Sequence, residues 1–175
     1  MRVTGGRYRS RQVRCPPGDI RPSMDRMRQS LFSILGDLTG CSFLDLFSGS
    51  GIIAIEAASR GAGPIVLVEK DPRKRATLLK NVSFVEVPVE VLTMPAERFL
   101  SKDPRAFDYV FLDPPFAFAG KAAVLEAAAA HLAPEGVVMM HLHRAEPLVA
   151  DRPGLEEIDR REYGQSCVVF WRKTP

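Results

Sequence analysis

"SFLDLFSGSGIIAIEAASRG", residues 42–61, decides how this chain is organised. Its first six residues form a short apolar run with a single acid, Asp45, inside it. Gly49 and Gly51 then bracket one serine, and Ile52 begins a second apolar stretch that Gly61 ends. Closely spaced glycines allow a tight turn and a close approach of backbone to a ligand. A strand feeding such a turn, with a helix behind it, is the opening unit of an α/β fold whose ligand sits beyond the carboxyl end of the strand.

Beyond this stretch the same alternation continues. "PIVLVEKD" (64–71) reads as a second strand, and "PRKRATLLKNV" as a helix with Pro72 in its first turn. "VEVLTM" (89–94), "FDYVFLD" (107–113) and "GVVMMHLH" (136–143) read as further strands, with helices predicted over "PAERFLS" and "KAAVLEAAAAHL" (121–132) between them. "LEEIDRREY" and "SCVVFWRK" close the chain as a hairpin around Gly164. Strands and helices in alternation imply a doubly wound, mostly parallel sheet. Helices on both faces explain why "IVLV", "YVFL" and "VVMM" are apolar without a break. Ahead of this unit, residues 1–15 read as short strands in a β-hairpin around Gly5-Gly6, and "CPPGDIRPS" (15–23) as an extended segment. Ser23 is expected to cap a helix that turns Met27, Leu31, Ile34 and Leu35 toward a core. The domain reading is an arm over 1–20 and a catalytic domain over 21–175.

The composition, 46% hydrophobic and 26% charged over 175 residues, suits one globular domain. No apolar run reaches the roughly 18–20 residues of a membrane helix, and the first residues lack the apolar core of a secretory signal. The expectation is a cytoplasmic protein that does not use a membrane. Cys15, Cys41 and Cys167 are odd in number and widely spaced, which argues against a disulfide framework or a metal site. Charge is uneven: eight arginines against Asp19 and Asp25 leave the first 30 residues at +6, while the rest of the chain is at −3. Arginine makes forked phosphate contacts and stacks on bases, so this end is expected to bind nucleic acid.

The residues just after each strand carry the chemistry. Glu69, at the end of the second strand, is placed to accept hydrogen bonds from ribose hydroxyls. Gly49-x-Gly51-x-x-Ala54 formally matches a dinucleotide fingerprint, so an oxidoreductase is one reading. Asp45 points elsewhere: a carboxylate near the loop would repel a pyrophosphate and suits a cofactor with a cationic amino-acid tail, such as S-adenosylmethionine. After the fourth strand comes "DPPF" (113–116). Pro114 and Pro115 lack N–H donors but keep carbonyl acceptors. Phe116 can stack on a base, worth roughly 1–3 kcal/mol. Acceptors beside an aromatic face match a nucleobase bearing an exocyclic amine.

With these motifs in order, the chain resembles the class I S-adenosylmethionine-dependent methyltransferases that act on amino groups. "TGGRYRSRQV", "RPSMDRMRQSLFSIL", "FLDLFSGSGIIAIEAASRGA", "DPPF" and "YGQSCVVFWRK" together resemble the bacterial 16S ribosomal RNA guanine-N2 methyltransferase family, which modifies guanine 966. The resemblance implies a seven-stranded, Rossmann-like methyltransferase sheet with a small N-terminal hairpin that holds RNA. It implies that Asp45, Gly49 and Gly51 hold the methionine end of the cofactor and Glu69 its ribose, with Phe47 also against the cofactor. Arg21, Pro22 and Asp25 would cover cofactor and base, with Arg7, Arg9, Arg11 and Arg28 on the RNA. Asp113, Pro114 and Phe116 would grip the guanine, Asp113 also bordering the cofactor. "MPAERFL" places Pro95 where the family usually has an acid, so the adenine would meet the backbone near Ala96 or the side chain of Glu97. His141 and His143 stand where an acid is more usual and are expected to have local partners. The partner implied is 16S RNA or the small-subunit particle, with the protein a monomer and no metal involved. An adenine-N6 methyltransferase and a non-catalytic RNA-binding protein are the other readings.

Overall fold

The computed structural model describes residues 1–18, 24–147 and 153–175. Along these run α1 (Asp25–Leu35), β1 (Phe43–Leu46), α2 (Ile52–Ser59), β2 (Ile65–Glu69), α3 (Arg75–Val82), β3 (Val89–Thr93), α4 (Ala96–Lys102), β4 (Phe107–Leu112), α5 (Lys121–Ala129), β5 (Leu132–His143), β6 (Leu155–Tyr163) and β7 (Ser166–Lys173). One seven-stranded sheet has the order β3-β2-β1-β4-β5-β7-β6. The first five strands in that order are parallel, and β7 runs antiparallel between β5 and β6. The order reverses between β1 and β4, which opens a crevice at their carboxyl ends.

Helices cover both faces, as the unbroken apolar strands require. β1 and β2 are buried at every position. Met27, Leu31 and Phe32 of α1, the apolar residues of α2, and Leu78 and Val82 of α3 pack on one face. Phe99 and Leu100 of α4 and Val124, Leu125 and Ala128 of α5 pack on the other. Register places the chemistry. Asp45 lies beside Leu67 on one side and Phe111 on the other, and Phe111 lies beside Met139. Side chains two residues further along emerge on the same face. Glu69, Asp113 and His141 therefore form one row across β2, β4 and β5, one pleat above Asp45.

Two expectations need correction, and one falls outside the described residues. Ile34 is exposed and Phe32 takes its place in the core, because the inward stripe of α1 runs Met27, Arg28, Leu31, Phe32. The expected Ser23 cap lies outside the described residues; α1 opens after Met24, which makes no side-chain cap bond. β5 starts at Leu132, which pairs with Phe107, so α5 stops at Ala129.

The N-terminal arm folds back antiparallel, but through a single bridge, Arg2 with Gln12, rather than two strands. Its stability comes from docking on α2. Gly6 has φ +76°, and a Cβ there would overlap the Ser59 carbonyl, so only glycine fits. The Arg7 N–H donates to that carbonyl at 2.7 Å, and the Tyr8 N–H to Ser59 Oγ at 2.8 Å. Val3, Tyr8 and Val13 join the core. With the arm on one side and the sheet on the other, all eight residues of α2 are buried, including Glu56.

Candidate active site

The turn after β1 is built from left-handed backbone: Phe47, Gly49 and Gly51 have φ 60°, 55° and 81°. A phenylalanine in that conformation is uncommon and needs outside support. Here its ring meets Phe118 edge-on at 5.4 Å. Ser48 ties the turn to both neighbouring strands, donating from Oγ to the Asp45 carbonyl at 2.6 Å and accepting the Val68 N–H at 3.1 Å. Glu69 holds it from the side: Oε2 accepts the Gly49 N–H at 2.9 Å and Oε1 the Asp71 N–H at 3.0 Å.

Beyond the strand ends this turn opens on a cleft of about 590 Å³, well within the range of small-molecule sites. Asp45, Phe47, Gly49, Glu69, Ala96, Asp113, Pro114 and Phe116 all line it. Gly51 does not: it starts α2 with its Cα turned toward Leu78 and Leu67, so its part is to make the turn. Glu97 is exposed and outside the cleft wall, whereas its neighbour Ala96 is buried within it. The helix α4 begins at Ala96, so its first side chain faces in and the next faces water.

"DPPF" is held from three directions. The Asp113 N–H donates to the Leu46 carbonyl at 3.3 Å, so β4 leads directly into the site. The Pro115 carbonyl is taken by the Phe118 N–H at 2.9 Å, which corrects the expectation that both proline carbonyls stay open. Lys121 Nζ reaches the carbonyls of Phe116 at 2.5 Å and Phe118 at 2.7 Å, and pairs with Glu146 at 3.1 Å. Among the described residues no backbone N–H meets the Pro114 carbonyl. It remains as the acceptor beside the Asp113 carboxylate.

Sequence reasoning missed two groups. Lys70, Asp71, Arg73 and Lys74 line the cleft from the loop after β2, and the strand-end rule applied past Glu69 would have found them. Arg73 grips Asp71 in a forked contact, with Nη2 2.8 Å from Oδ2, and that hydrogen bonding lowers the Asp71 carboxyl to about 2. The other is the partner of His141: a local one was expected, and it is Asp113, with Nδ1 2.9 Å from Oδ1. Nothing in "GVVMMHLH" gives the register that makes these two neighbours.

The cleft floor is acidic. Burial holds the Asp45 carboxyl well above its usual range, and the nearby Asp113 and Glu69 push it the same way. Against these, it accepts the Ala54 N–H at 3.3 Å. A group with a raised folded-state pKa favours the fold below its unfolded value, near 4, and loses that contribution as pH rises through the raised value. The ligand-free protein is therefore expected to lose stability over that interval, and Asp45→Asn to remove the loss. A cationic ligand compensates the ionised carboxylate, so its affinity rises with pH in the parent and not in Asp45→Asn. Melting curves against pH, with and without S-adenosylmethionine, check both; a ligand response that is identical in the two proteins contradicts this.

The RNA-facing expectations divide. Arg7, Arg9 and Arg11 are exposed on the arm. Arg7 pairs with Glu86 at 2.5 Å, and the Arg11 guanidinium stands 4.9 Å over the Phe84 ring. Asp25 is exposed at the start of α1, and Arg21 lies outside the described residues. Arg28 is a correction: it has no exposed surface and reaches inward to Glu56, Asp25 and the Arg2 carbonyl. The arm's inner end touches the cleft through Asn81, which donates to the carbonyls of Arg14 and Ser50. Among the described residues no cluster of acids, histidines and cysteines could hold a metal, and no helix is long and apolar enough to cross a membrane.

The family model described as "Conserved hypothetical protein 95" matches residues 1–172. "Ribosomal RNA small subunit methyltransferase D" of Escherichia coli strain K12 is 36% identical over 120 residues, covering 66% of this chain and 60% of that relative. The chain thus spans three fifths of that relative's length. The protein of the same name from Haemophilus influenzae is 30% identical over 158 residues, 85% of this chain and 82% of the relative. A solved structure described as "Putative methyltransferase yhhF from Escherichia coli" superposes with a TM-score of 0.90 at 26% identity, covering 99% of this chain and 97% of that one.

Proposed function

The chain belongs to the conserved hypothetical protein 95 family, and from that premise we propose that it methylates the exocyclic N2 amine of a guanine in small-subunit ribosomal RNA, with S-adenosylmethionine as the methyl donor. The observation that carries the reading is the placement of Asp113, the Pro114 carbonyl and Phe116 across one cleft from Asp45, the glycine turn and Glu69. The cofactor supplies a methyl group on a positively charged sulfur. The acidic floor suits its two cationic centres, Glu69 its ribose hydroxyls, and Ala96 the adenine side of the cleft.

Base choice follows from the acceptors. Guanine presents two adjacent donors, N1–H and the N2 amine, to a carboxylate and a carbonyl that can only accept. Adenine places the acceptor N1 beside its N6 amine and so sets a lone pair against Asp113. An aryl amine is a weak nucleophile, because its lone pair is delocalised into the ring. Asp113 and the Pro114 carbonyl accept its two hydrogens, favour the pyramidal nitrogen, and aim the lone pair across the cleft. Phe116 fixes the ring plane. Positioning of this kind supplies much of a rate enhancement. As the N–C bond forms, the methyl–sulfur bond would break and S-adenosylhomocysteine would leave, with Asp113 taking the proton that the amine releases. A paired base cannot enter the cleft, so the target guanine is unstacked or in a loop.

The test is labelled-methyl transfer to 16S RNA, naked and in assembled particles, with mass mapping of the product. N2-methylguanine is the expected product; N6-methyladenine or no transfer to either substrate overturns the reading. The exposed arm gives a second expectation. Reversing the charge of Arg7, Arg9 and Arg11 together is expected to cut RNA affinity by about 10²-fold or more at low salt and to flatten its salt dependence, because phosphate contacts act through counterion release. Cofactor affinity should not change. Filter binding across a salt series checks it, and an unaltered slope would count against the arm.

A further inference from the structure

We propose that His141 is a positioning residue for methyl transfer, orienting the carboxylate and the ring that hold the base. The proposal rests on the reading of Asp113 and Phe116 as the base-holding pair. β4 and β5 are in parallel register up to Leu112 and Met140, so the next residues, Asp113 and His141, stand side by side where the strands leave the sheet. His141 is only 4% exposed, with Nδ1 2.9 Å from Asp113 Oδ1. Against an ionised carboxylate, which can only accept, Nδ1 carries the hydrogen and donates. That bond stops rotation of the carboxylate about its last torsion, which is otherwise broad.

The same ring meets Phe116 edge-on, with centroids 5.7 Å apart and planes at 66°. His143, two residues on and on the same face, meets Phe116 at 5.5 Å and 89°. Two imidazoles thus pack in T-shaped contact with the aromatic ring on which the base is to lie. One side chain, His141, touches both halves of the base grip and lies behind them, since Asp113 and Phe116 line the cleft and it does not. A carboxylate and a ring that must be aimed within a fraction of an ångström gain most from such a support.

Two substitutions separate this role from bulk. His141→Leu keeps an apolar filler and loses the donor; His141→Asn keeps an N–H close to the position of Nδ1. The leucine variant is expected to lose about 30- to 100-fold in kcat, in line with the cost of small misplacements. Its melting temperature and its Kd for S-adenosylmethionine should stay close to those of the parent. The asparagine variant should recover most of that rate. A leucine variant with the parent's kcat overturns the proposal, as does an asparagine variant as slow as a folded leucine variant. Should the leucine variant fail to fold, the asparagine variant decides alone: loss of more than about 30-fold in kcat contradicts the role given to the Nδ1 donor. Asp113→Ala is measured in parallel. If it keeps full activity, the base-grip reading fails and this proposal with it; if it is inactive while His141→Leu is unimpaired, only the role of His141 fails.

Discussion

Asp113→Ala is expected to abolish methyl transfer, by at least about 10³-fold in kcat, while leaving S-adenosylmethionine binding within a few-fold of the parent; removal of one preorganised polar contact from an active site costs about 10²–10³ in rate. The loss should reach the upper end because the proposed mechanism gives one carboxylate three tasks: accepting from the amine, setting the pyramidal geometry with the Pro114 carbonyl, and taking the departing proton. A factor of 10³ is about 4 kcal/mol in the barrier. Cofactor binding survives because the glycine turn is tied by Ser48 and Glu69. Single-turnover methyl transfer and calorimetric titration of the cofactor give the two readouts. An active alanine variant, or one that no longer binds cofactor, contradicts this division of labour.

Much of this site was legible in the sequence, for a physical reason. Strand ends in a parallel sheet sit at the ligand crevice, so "LDLFSGSG", Glu69 and "DPPF" announce themselves by following apolar runs. What could not be read depends on register or on the direction of a side chain. His141 becomes a neighbour of Asp113 only once β4 and β5 are aligned. Arg28 belongs to the arginine-rich segment by count, yet it points inward. Charge along a sequence reports composition and leaves the helix face open. The local signal was present: Arg28 lies one residue after Met27 and three before Leu31, within the apolar stripe of α1. α2 is the clearest case. "IIAIEAAS" has almost no polar face, which for a helix on a sheet requires a second cover. That cover is the arm, and the two polar residues of the helix, Glu56 and Ser59, are its anchors.

The arm's dependence on Glu56 sets a large expected effect on stability. Glu56 has no exposed surface, and its carboxylate receives the Thr4 N–H at 2.8 Å, the Thr4 hydroxyl at 2.9 Å, Arg28 Nε at 3.2 Å and Arg60 Nη1 at 2.5 Å. Glu56→Ala removes all four acceptor contacts and leaves the Arg28 guanidinium buried, with Asp25 and the Arg2 carbonyl as its remaining described partners. Removing one partner of a buried ion pair costs about 3–5 kcal/mol, because the other charge stays out of water without compensation. For a chain of this size each kcal/mol lowers the melting temperature by roughly 2–4 °C, so a fall of about 6–20 °C is expected. Denaturant titration should show an earlier midpoint. If the arm detaches before the sheet unfolds, the transition broadens and the apparent slope falls. Glu56→Leu combined with Arg28→Met tests the cause: with both charges gone, the desolvation cost disappears, and stability should recover well beyond either single variant. RNA affinity is expected to follow the arm, falling in Glu56→Ala although Glu56 is wholly buried and out of reach of any phosphate. An alanine variant as stable as the parent would show that the four bonds to Glu56 contribute no more than their replacement by water.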